Sequence, residues 1–123
     1  MRRIKSKGMK PELVVRQLVH KMGYRYRLHS PKLPGKPDLV FTSRRKIIEV
    51  RGCFWHQHLG CIDSHLPKSR PEYWVPKLER NVLRDSENLK KLLDLKWDVL
   101  VIWECEVRDV ETLTVRLQNF LGD

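Results

Sequence analysis

Residues 38–50, DLVFTSRRKIIEV, decide the fold of this chain because they hold two β-rich runs joined by a short polar connection. The runs 38–42 and 46–50 are rich in Val, Ile and Phe, which favour strands, and SRRK between them favours a turn. We therefore predict an antiparallel hairpin. One acidic residue, Asp38, opens this hairpin, and a second, Glu49, lies near its end.

Toward the N terminus, the pattern predicts a helix that begins at Pro11 and stops at Gly23, since proline is tolerated in a first turn and glycine ends helices. Its buried stripe is predicted at Leu13, Val14, Leu18 and Met22. The alternating segment 24–28, YRYRL, predicts a strand, and a loop rich in proline follows it.

Toward the C terminus, residues 51–71 read as an irregular segment, and a long helix is predicted over 72–95 with Pro76 in its first turn. The inward positions of this helix are predicted to be Leu78, Val82, Leu89, Leu92 and Leu93. The apolar segment 96–105, KWDVLVIWEC, predicts a central strand covered on both faces.

A last helix is predicted over 109–121, with core positions at Val110, Leu113, Leu117 and Leu121. The resulting order α-β-β-β-α-β-α predicts an α/β fold, in which a mixed central sheet is flanked by helices. A chain of 123 residues is long enough for one such domain, so we predict a single domain over residues 1–123.

The composition favours a soluble globular protein that binds a polyanion. Hydrophobic residues make up 41% and charged residues 33%, and the net charge is +10. Nucleic acid is the partner such a charge favours, ahead of a solubility surface or an acidic lipid. No apolar run reaches the roughly 20 residues of a membrane helix, and no secretory signal is recognisable. We therefore expect no membrane association and a cytoplasmic location.

The acidic residues of the hairpin suggest a magnesium site. Glu49 and Arg51 lie two residues apart on one strand and so share a face, and the hairpin brings Asp38 beside them. Two carboxylates at one site suit Mg²⁺, which phosphodiester hydrolysis uses. The alternative is a surface hairpin with solvated charges.

The pattern Pro-Asp…Glu-x-Arg resembles the PD-(D/E)xK nuclease motif, with arginine in place of lysine. Since arginine stays protonated, it can offer charge and hydrogen bonds but cannot act as a base. Proton transfer would then come from another residue, and His56 is the obvious candidate.

Soft metal ligands occur at Cys53, His58 and Cys61, and Cys105 follows the last predicted strand. Four such ligands suit a tetrahedral structural Zn²⁺, which would hold the irregular loop at 51–71 together. The alternative is three reduced cysteines that lie near a histidine by chance. The remaining histidines, at positions 20, 29 and 65, receive no functional assignment.

Three aromatic residues lie near these ligands: Phe54 and Trp55 in the loop, and Trp74 early in the long helix. Large aromatic side chains usually pack, but adjacent residues on a rigid loop do not easily face one core. Apolar side chains that project from a basic protein can also wedge between DNA base pairs. Both interpretations stay open on the residues alone.

The segments PGKPDLVF, RGCFWHQH, RPEYWVPKLERNVLRD and WDVLVIWEC together resemble the very-short-patch repair (Vsr) DNA mismatch endonucleases. The resemblance implies a restriction-endonuclease-like three-layer α/β fold with a zinc-stabilised loop. It also implies Mg²⁺-dependent nicking of one strand beside a T:G mismatch in double-stranded DNA. We expect a monomer, and mismatch-repair proteins are candidate partners.

By this resemblance, Asp38 binds magnesium, with Glu49 as a candidate second ligand, and His56 is the catalytic histidine. Glu12 matches a glutamate that orients a catalytic histidine or water. The zinc ligands are Cys53, His58, Cys61 and Cys105, and the aromatic residues that intercalate beside the mismatch are Phe54, Trp55 and Trp74.

Three departures from the family pattern stand out. Arg51 replaces a histidine that follows threonine in family members, and Glu49 replaces an apolar residue. The segment before the first helix is also shorter, and in the family it helps grip the minor groove. We expect nuclease chemistry to be retained more readily than mismatch specificity. Two alternatives are a zinc-stabilised DNA-binding module without catalysis, and a related nuclease of restriction or mobile-element type that acts on matched DNA.

Overall fold

The computed structural model describes residues 10–122, except for the side chain of Asp63. Residues 1–9, which make up most of the N-terminal segment discussed above, therefore lie outside the described residues. The helices and strands in chain order are α1 (Pro11–Lys21), β1 (Arg27–Leu28), β2 (Leu39–Phe41), β3 (Lys46–Arg51), α2 (Pro71–Asp94), β4 (Asp98–Trp103) and α3 (Val110–Leu121). Among the described helices, none is long and apolar enough to cross a membrane.

The four strands form one mixed sheet in the order β1-β2-β3-β4. Both β1 with β2 and β2 with β3 pair antiparallel, which confirms the predicted hairpin, whereas β3 pairs parallel with β4. A 3-10 turn over Thr42–Arg44 and a left-handed Arg45 close the hairpin. The predicted strand at 24–28 is reduced to the two residues of β1.

Helices cover both faces of the sheet, which confirms the three-layer α/β prediction. Alternate residues of a strand point to opposite faces. Leu39 and Ile48 therefore join the core that α1 and α3 form with one face, while Val40 and Ile47 pack with Leu92 of α2 against the other.

The buried stripe of α1 differs from the prediction at one edge. Val14 and Leu18 are buried as predicted, but Val15 and Val19 are fully buried as well, and Leu13 is 37% exposed. The buried face is therefore rotated by one residue, because valines at adjacent positions meet the sheet and displace Leu13 to the rim.

Helix α2 differs from the prediction in two respects. Pro76 is its sixth residue and lies inside the helix rather than in the first turn. In addition, Val82 and Leu93 are 40% and 51% exposed, and only Leu78 and Leu92 are buried. A helix of 24 residues is about 36 Å long, whereas a six-residue strand spans about 20 Å, so only part of α2 can lie on the sheet.

Strand β4 was predicted to be central, and this was wrong: it lies at one edge of the described sheet. Its apolar character arises because Val99 packs with the α2 side and Ile102 with the α1–α3 side. An apolar strand sequence indicates that both faces of the strand are covered, but it does not indicate whether another strand pairs with its outer edge. The prediction of α3 was correct, and Asp109 caps it by accepting a hydrogen bond from Thr112 N.

Candidate active site and metal cluster

A cavity of about 150 Å³ lies where the hairpin, the loop after β3 and the middle of α2 meet. Four of the five predicted catalytic residues line it, namely Asp38, Glu49, Arg51 and His56. Its remaining lining is Gly35, Lys36, Pro37, Val50, Asp85 and Asn88. Residues far apart in sequence thus converge on one small polar space.

Asp38 directly precedes β2, and the neighbouring strand β3 anchors its carboxylate. Its Oδ2 accepts a hydrogen bond from the backbone N–H of Val50 at 2.7 Å. Burial, with a smaller contribution from nearby Glu12, raises the pKa of Asp38 to about 6, although the Val50 N–H opposes both. A bound cation would favour the ionised form of this carboxyl group, because its charge offsets the hydration that the carboxylate loses on burial.

Glu12, the fifth predicted catalytic residue, lies on α1 and approaches Asp38 from outside the cavity. Its Oε1 is 3.2 Å from Nε2 of His29, and Nδ1 of His29 is 3.8 Å from Oδ1 of Asp38. The histidine that Glu12 contacts is therefore His29, and the orienting role implied for Glu12 does not reach His56 in this geometry.

The carboxylate beside His56 belongs to Asp85 of α2. Oδ2 of Asp85 lies 2.5 Å from Nδ1 of His56, and both side chains are largely buried, with 18% and 32% exposure. A carboxylate accepts hydrogen bonds, so this contact places a proton on Nδ1 when the ring is neutral. Nε2 then carries the lone pair, which is the arrangement a general base requires.

Glu49 and Arg51 share one face of β3 as predicted, and they bind each other. Nη2 of Arg51 donates to Oε2 of Glu49 at 2.8 Å, and their side chains are only 14% and 12% exposed. The guanidinium also lies over the indole of Trp103, 5.8 Å from the ring centre. Arg51 is therefore fixed on two sides at the wall of the cavity.

The loop before Asp38 touches α2 closely at Gly35. This residue has φ +75, and a Cβ built there would lie 2.8 Å from Nδ2 of Asn88. Glycine is thus favoured both by the backbone conformation and by the contact, because an added Cβ would force the Asn88 side chain to move. The close approach brings Asp38 and α2, which carries Asp85, to opposite sides of the same cavity.

The donor set around Asp38 fits a hard divalent cation. Carboxylate oxygens of Asp38 and Glu12 are available at one place, and the small polar cavity beside them has room for water ligands. Oxygen ligands with several retained waters are the arrangement that Mg²⁺ prefers.

The four predicted zinc ligands also converge. One ligand atom from each of Cys53, His58, Cys61 and Cys105 lies within 4.8 Å of the others. Nδ1 of His58 is 3.7 Å from Sγ of Cys53 and 3.5 Å from Sγ of Cys105. Cys105 lies in the 3-10 turn that follows β4, so the cluster joins the irregular loop to the sheet.

This thiol cluster fits Zn²⁺ by its chemistry. Burial, together with the neighbouring thiols of Cys105 and Cys61, raises the pKa of Cys53 to about 12. Burial likewise raises the pKa of Cys105. Thiols in such a place ionise only with a cation among them, and three sulfurs with one imidazole make a closed tetrahedral zinc set.

The loop that carries these ligands is tightly turned. His58 N donates to Cys53 O at 3.0 Å, and Ser64 Oγ donates to the carbonyl oxygens of both His58 and Cys61. These bonds keep the loop compact between its ligands, although Cys53 is the one buried apolar side chain among the loop residues whose side chains the structure describes.

The predicted DNA-binding aromatic residues form one cluster at the start of α2. Phe54 lies 5.2 Å from Trp55 and 5.3 Å from Trp74 between ring centres, and Tyr73 joins at 4.9 Å from Trp74. Trp55 and Tyr73 are 46% and 45% exposed. Nζ of Lys77 lies within 6.0 Å of the rings of Trp55, Tyr73 and Trp74. Packing and insertion between base pairs are therefore compatible interpretations, because the rings pack on one another while those of Trp55 and Tyr73 stay partly exposed.

Sequence reasoning missed Asp85, His29 and Tyr73 as candidate site residues. For Asp85 a signal was present: Asp85 and Asn88 are polar residues three positions apart on α2, so they share a helix face, and both line the cavity. For His29 there was none, because it follows a two-residue strand in a loop.

The sequence is similar to those of a family of DNA endonucleases. The sequence profile of the family described as "DNA mismatch endonuclease Vsr" matches residues 1–61. The chain is 50% identical over 121 residues to "Type II nicking enzyme V.XorIIP" of Xanthomonas oryzae pv. oryzae, covering 98% of this chain and 88% of that protein. It is 38% identical over 114 residues to "DNA mismatch endonuclease Vsr" of Escherichia coli strain K12, covering 93% of this chain and 72% of that protein.

Among solved structures, the catalytic domain of the homing endonuclease I-Bth0305I superposes with a TM-score of 0.66. The alignment covers 92% of this chain and 94% of that domain at 19% sequence identity. This similarity establishes a shared fold with a nuclease catalytic domain.

Proposed function

Because this chain belongs to the Vsr family of DNA endonucleases, we propose that it nicks one strand of double-stranded DNA beside a T:G mismatch, using Mg²⁺. The observation that carries the proposal is the convergence of Asp38 and the His56–Asp85 pair on one small polar cavity. We assign the whole chain to this one endonuclease domain.

In the proposed mechanism, Asp38 would hold the magnesium ion, with Glu12 beside it and Glu49 at the same cavity as candidate further ligands. Mg²⁺ bound there would supply Lewis-acid stabilisation of the negative charge that develops during hydrolysis. His56 removes a proton from the attacking water at Nε2, and Asp85 holds the ring in the required tautomer through Nδ1. Glu12 and His29 orient the Asp38 carboxylate from its other side.

We assign to Arg51 the stabilisation of the negative charge that develops on the phosphate. It stays protonated throughout, so it acts by charge and hydrogen bonding. Its fixation by Glu49 and Trp103 supports this role, because a preorganised cation needs no rearrangement during the reaction.

DNA engagement is assigned to the aromatic cluster and to the basic surface. The exposed ring of Trp55, supported by Phe54 and Trp74, is of a size to enter between base pairs and to unstack them at a cost of a few kcal/mol. The net charge of +10 supplies phosphate contacts, so affinity should fall with increasing salt. We assign zinc to Cys53, His58, Cys61 and Cys105, where it would hold the loop that carries Phe54, Trp55 and His56.

The test is a nicking assay with Mg²⁺ on a duplex containing one T:G pair and on the fully paired duplex of the same sequence. We expect nicking of the mismatched duplex alone, loss of activity in Asp38→Asn, and a loss of about 10²-fold or more in His56→Ala. Asp94→Asn is the matched control, because Asp94 is an exposed acid at the end of α2.

Each alternative outcome has a definite meaning. Equal nicking of the paired duplex would replace mismatch repair by a nuclease that acts on matched DNA. Tight mismatch binding without a strand break at any Mg²⁺ or Mn²⁺ concentration would indicate a DNA-binding module. Nicking that survives both Asp38→Asn and His56→Ala would refute the assigned site.

A further inference from the structure

His29 is an imidazole that the backbone directs toward two carboxylates. It directly follows β1, and its backbone N–H donates to the carbonyl oxygen of Asp38 at 3.2 Å. Its φ is +46, in the left-handed region that few residues other than glycine adopt. The side chain is therefore placed beside Asp38 by a pairing and a backbone conformation that do not depend on the side chain itself.

Three different donor groups meet at this place. One ligand atom each from Glu12, His29 and Asp38 lies within 4.8 Å of the other two. Ligand atoms about 2.1 Å from an octahedral ion lie about 3 to 4.2 Å apart, so small side-chain adjustments suffice to bring all three to one ion. The His29 side chain is 52% exposed, which leaves the place open to water ligands.

The charge at this place is also unbalanced. Two carboxylates face a single imidazole, which carries at most one positive charge. A dication would offset both carboxylates at once.

We propose that Glu12, His29 and Asp38 form a mixed nitrogen–oxygen site in which His29 ligates a first-row transition-metal dication, so that the nuclease binds Mn²⁺ more tightly than Mg²⁺. Imidazole nitrogen adds affinity for transition metals, whereas Mg²⁺ gains little because it prefers oxygen. This inference rests on the proposed function, because Asp38 belongs to both sites. It goes beyond that function in assigning His29, which phosphodiester hydrolysis does not require, as a metal ligand.

Mn²⁺ is the probe of choice because its binding can be followed by electron paramagnetic resonance without any DNA. It is also a poor match for the cluster of three thiols, which suits softer ions and would be kept loaded with zinc. We would titrate the zinc-loaded protein with Mn²⁺, compete the bound ion with Mg²⁺, and record the nitrogen coupling of bound Mn²⁺ by pulsed measurement.

The variants are His29→Gln, Asp38→Asn and two control histidines. His20→Gln removes an exposed histidine of α1 that lies outside the cluster. His56→Gln removes the other imidazole near Asp38 and so tests whether the nitrogen signal has a different source.

We expect wild type to bind one Mn²⁺ at this site with a nitrogen coupling, and Asp38→Asn to lose it. His29→Gln should weaken Mn²⁺ binding on the order of tenfold and abolish the coupling, with Mg²⁺ affinity changed less than about twofold. The two control histidines should leave the coupling in place.

The proposal is overturned if His29→Gln binds Mn²⁺ as wild type does, or if the nitrogen coupling disappears only in His56→Gln. Failure of the proposed function is detected by a separate measurement, which is strand cleavage. Nicking that persists in Asp38→Asn would refute the catalytic assignment, even where the Mn²⁺ spectra place His29 on the metal.

Discussion

The imidazole of His58 lies flat against the indole of Trp103, with ring centres 4.2 Å apart and planes 7° from parallel. Arg51 approaches the same indole, and Arg51 and Trp103 are register partners across β3 and β4. One residue of the metal cluster and one residue of the cavity therefore share a single aromatic neighbour. The proposed zinc site and the proposed nuclease site are thus connected through Trp103.

The first prediction concerns this connection. Trp103→Leu should lower zinc affinity on the order of tenfold and nicking kcat by a similar factor, because it removes the plane on which both His58 and Arg51 rest. Trp103→Phe keeps a ring and should retain most of both properties. Zinc competition and steady-state nicking kinetics would check this, and a Leu variant with wild-type values of both would contradict it.

The second prediction concerns the pairing of His56 with Asp85. Asp85→Asn keeps the size of the side chain but lets Nδ1 of His56 meet an amide that can donate, so the wrong tautomer becomes accessible. We expect kcat to fall by about 10²-fold with little change in KM, since the loss is in proton transfer. Asp94→Asn on the same helix is the control, and unchanged kcat in Asp85→Asn would remove Asp85 from the mechanism.

These residues show which parts of the fold and of the candidate site could be predicted from the sequence. The hairpin, the thiol–histidine cluster and the cavity positions of Asp38 and His56 were all foreseeable, because each depends on short spacing or on strand alternation. The polar helix face that carries Asp85 is visible in the sequence, but its pairing with His56 is not, because the two residues lie 29 positions apart and meet only through the packing of α2.

Other features depend on tertiary geometry that no local pattern encodes. The edge position of β4 follows from which strand it pairs with, and the exposure of Val82 and Leu93 follows from the length of α2 beyond the sheet. His29 reaches Glu12 only because the short strand β1 aligns with β2.

The third prediction is a pH dependence of stability. The pKa of Asp38 is about 6 in the folded protein against 3.8 as its ordinary value, so the folded state binds the proton more tightly than the unfolded state. The stabilising contribution of the protonated group is complete below the unfolded pKa and is lost as pH rises through about 6.

Asp38→Asn should therefore be more stable than wild type at pH 8, by up to about 2 kcal/mol in the free energy of unfolding, and the difference should shrink toward pH 5. Urea unfolding of the zinc-loaded proteins without Mg²⁺, at several values between these two, would measure it. Added Mg²⁺ should then stabilise wild type alone. A difference that grows as pH falls would have the wrong sign.

The fourth prediction concerns the thiol cluster. Wild type should hold about one zinc per chain by elemental analysis, whereas His58→Gln should hold clearly less and unfold at a lower temperature. His65→Gln is the matched control, because His65 is an exposed histidine of the same loop outside the cluster. Since buried thiols such as Cys53 must lose protons to bind, zinc affinity should rise with pH. Equal zinc content in the two variants would exclude His58 as a ligand.

The fifth prediction concerns Gly35, whose close approach to Asn88 brings the Asp38 loop against α2. Gly35→Ala should destabilise the protein by more than about 1 kcal/mol, because alanine is strained at positive φ and its Cβ would overlap the Asn88 side chain. Gly23→Ala separates these causes, since Gly23 has φ +90 with nothing within 4 Å of an added Cβ.

Denaturant unfolding should then rank Gly35→Ala below Gly23→Ala, and the double variant Gly35→Ala/Asn88→Ala should recover the part of the loss that comes from overlap. Nicking should follow the same order, since a displaced Asp38 loop moves the proposed cation ligand away from His56. If both single variants lose the same stability and the double variant recovers none, then backbone strain alone explains the glycine, and the contact with α2 does not position Asp38.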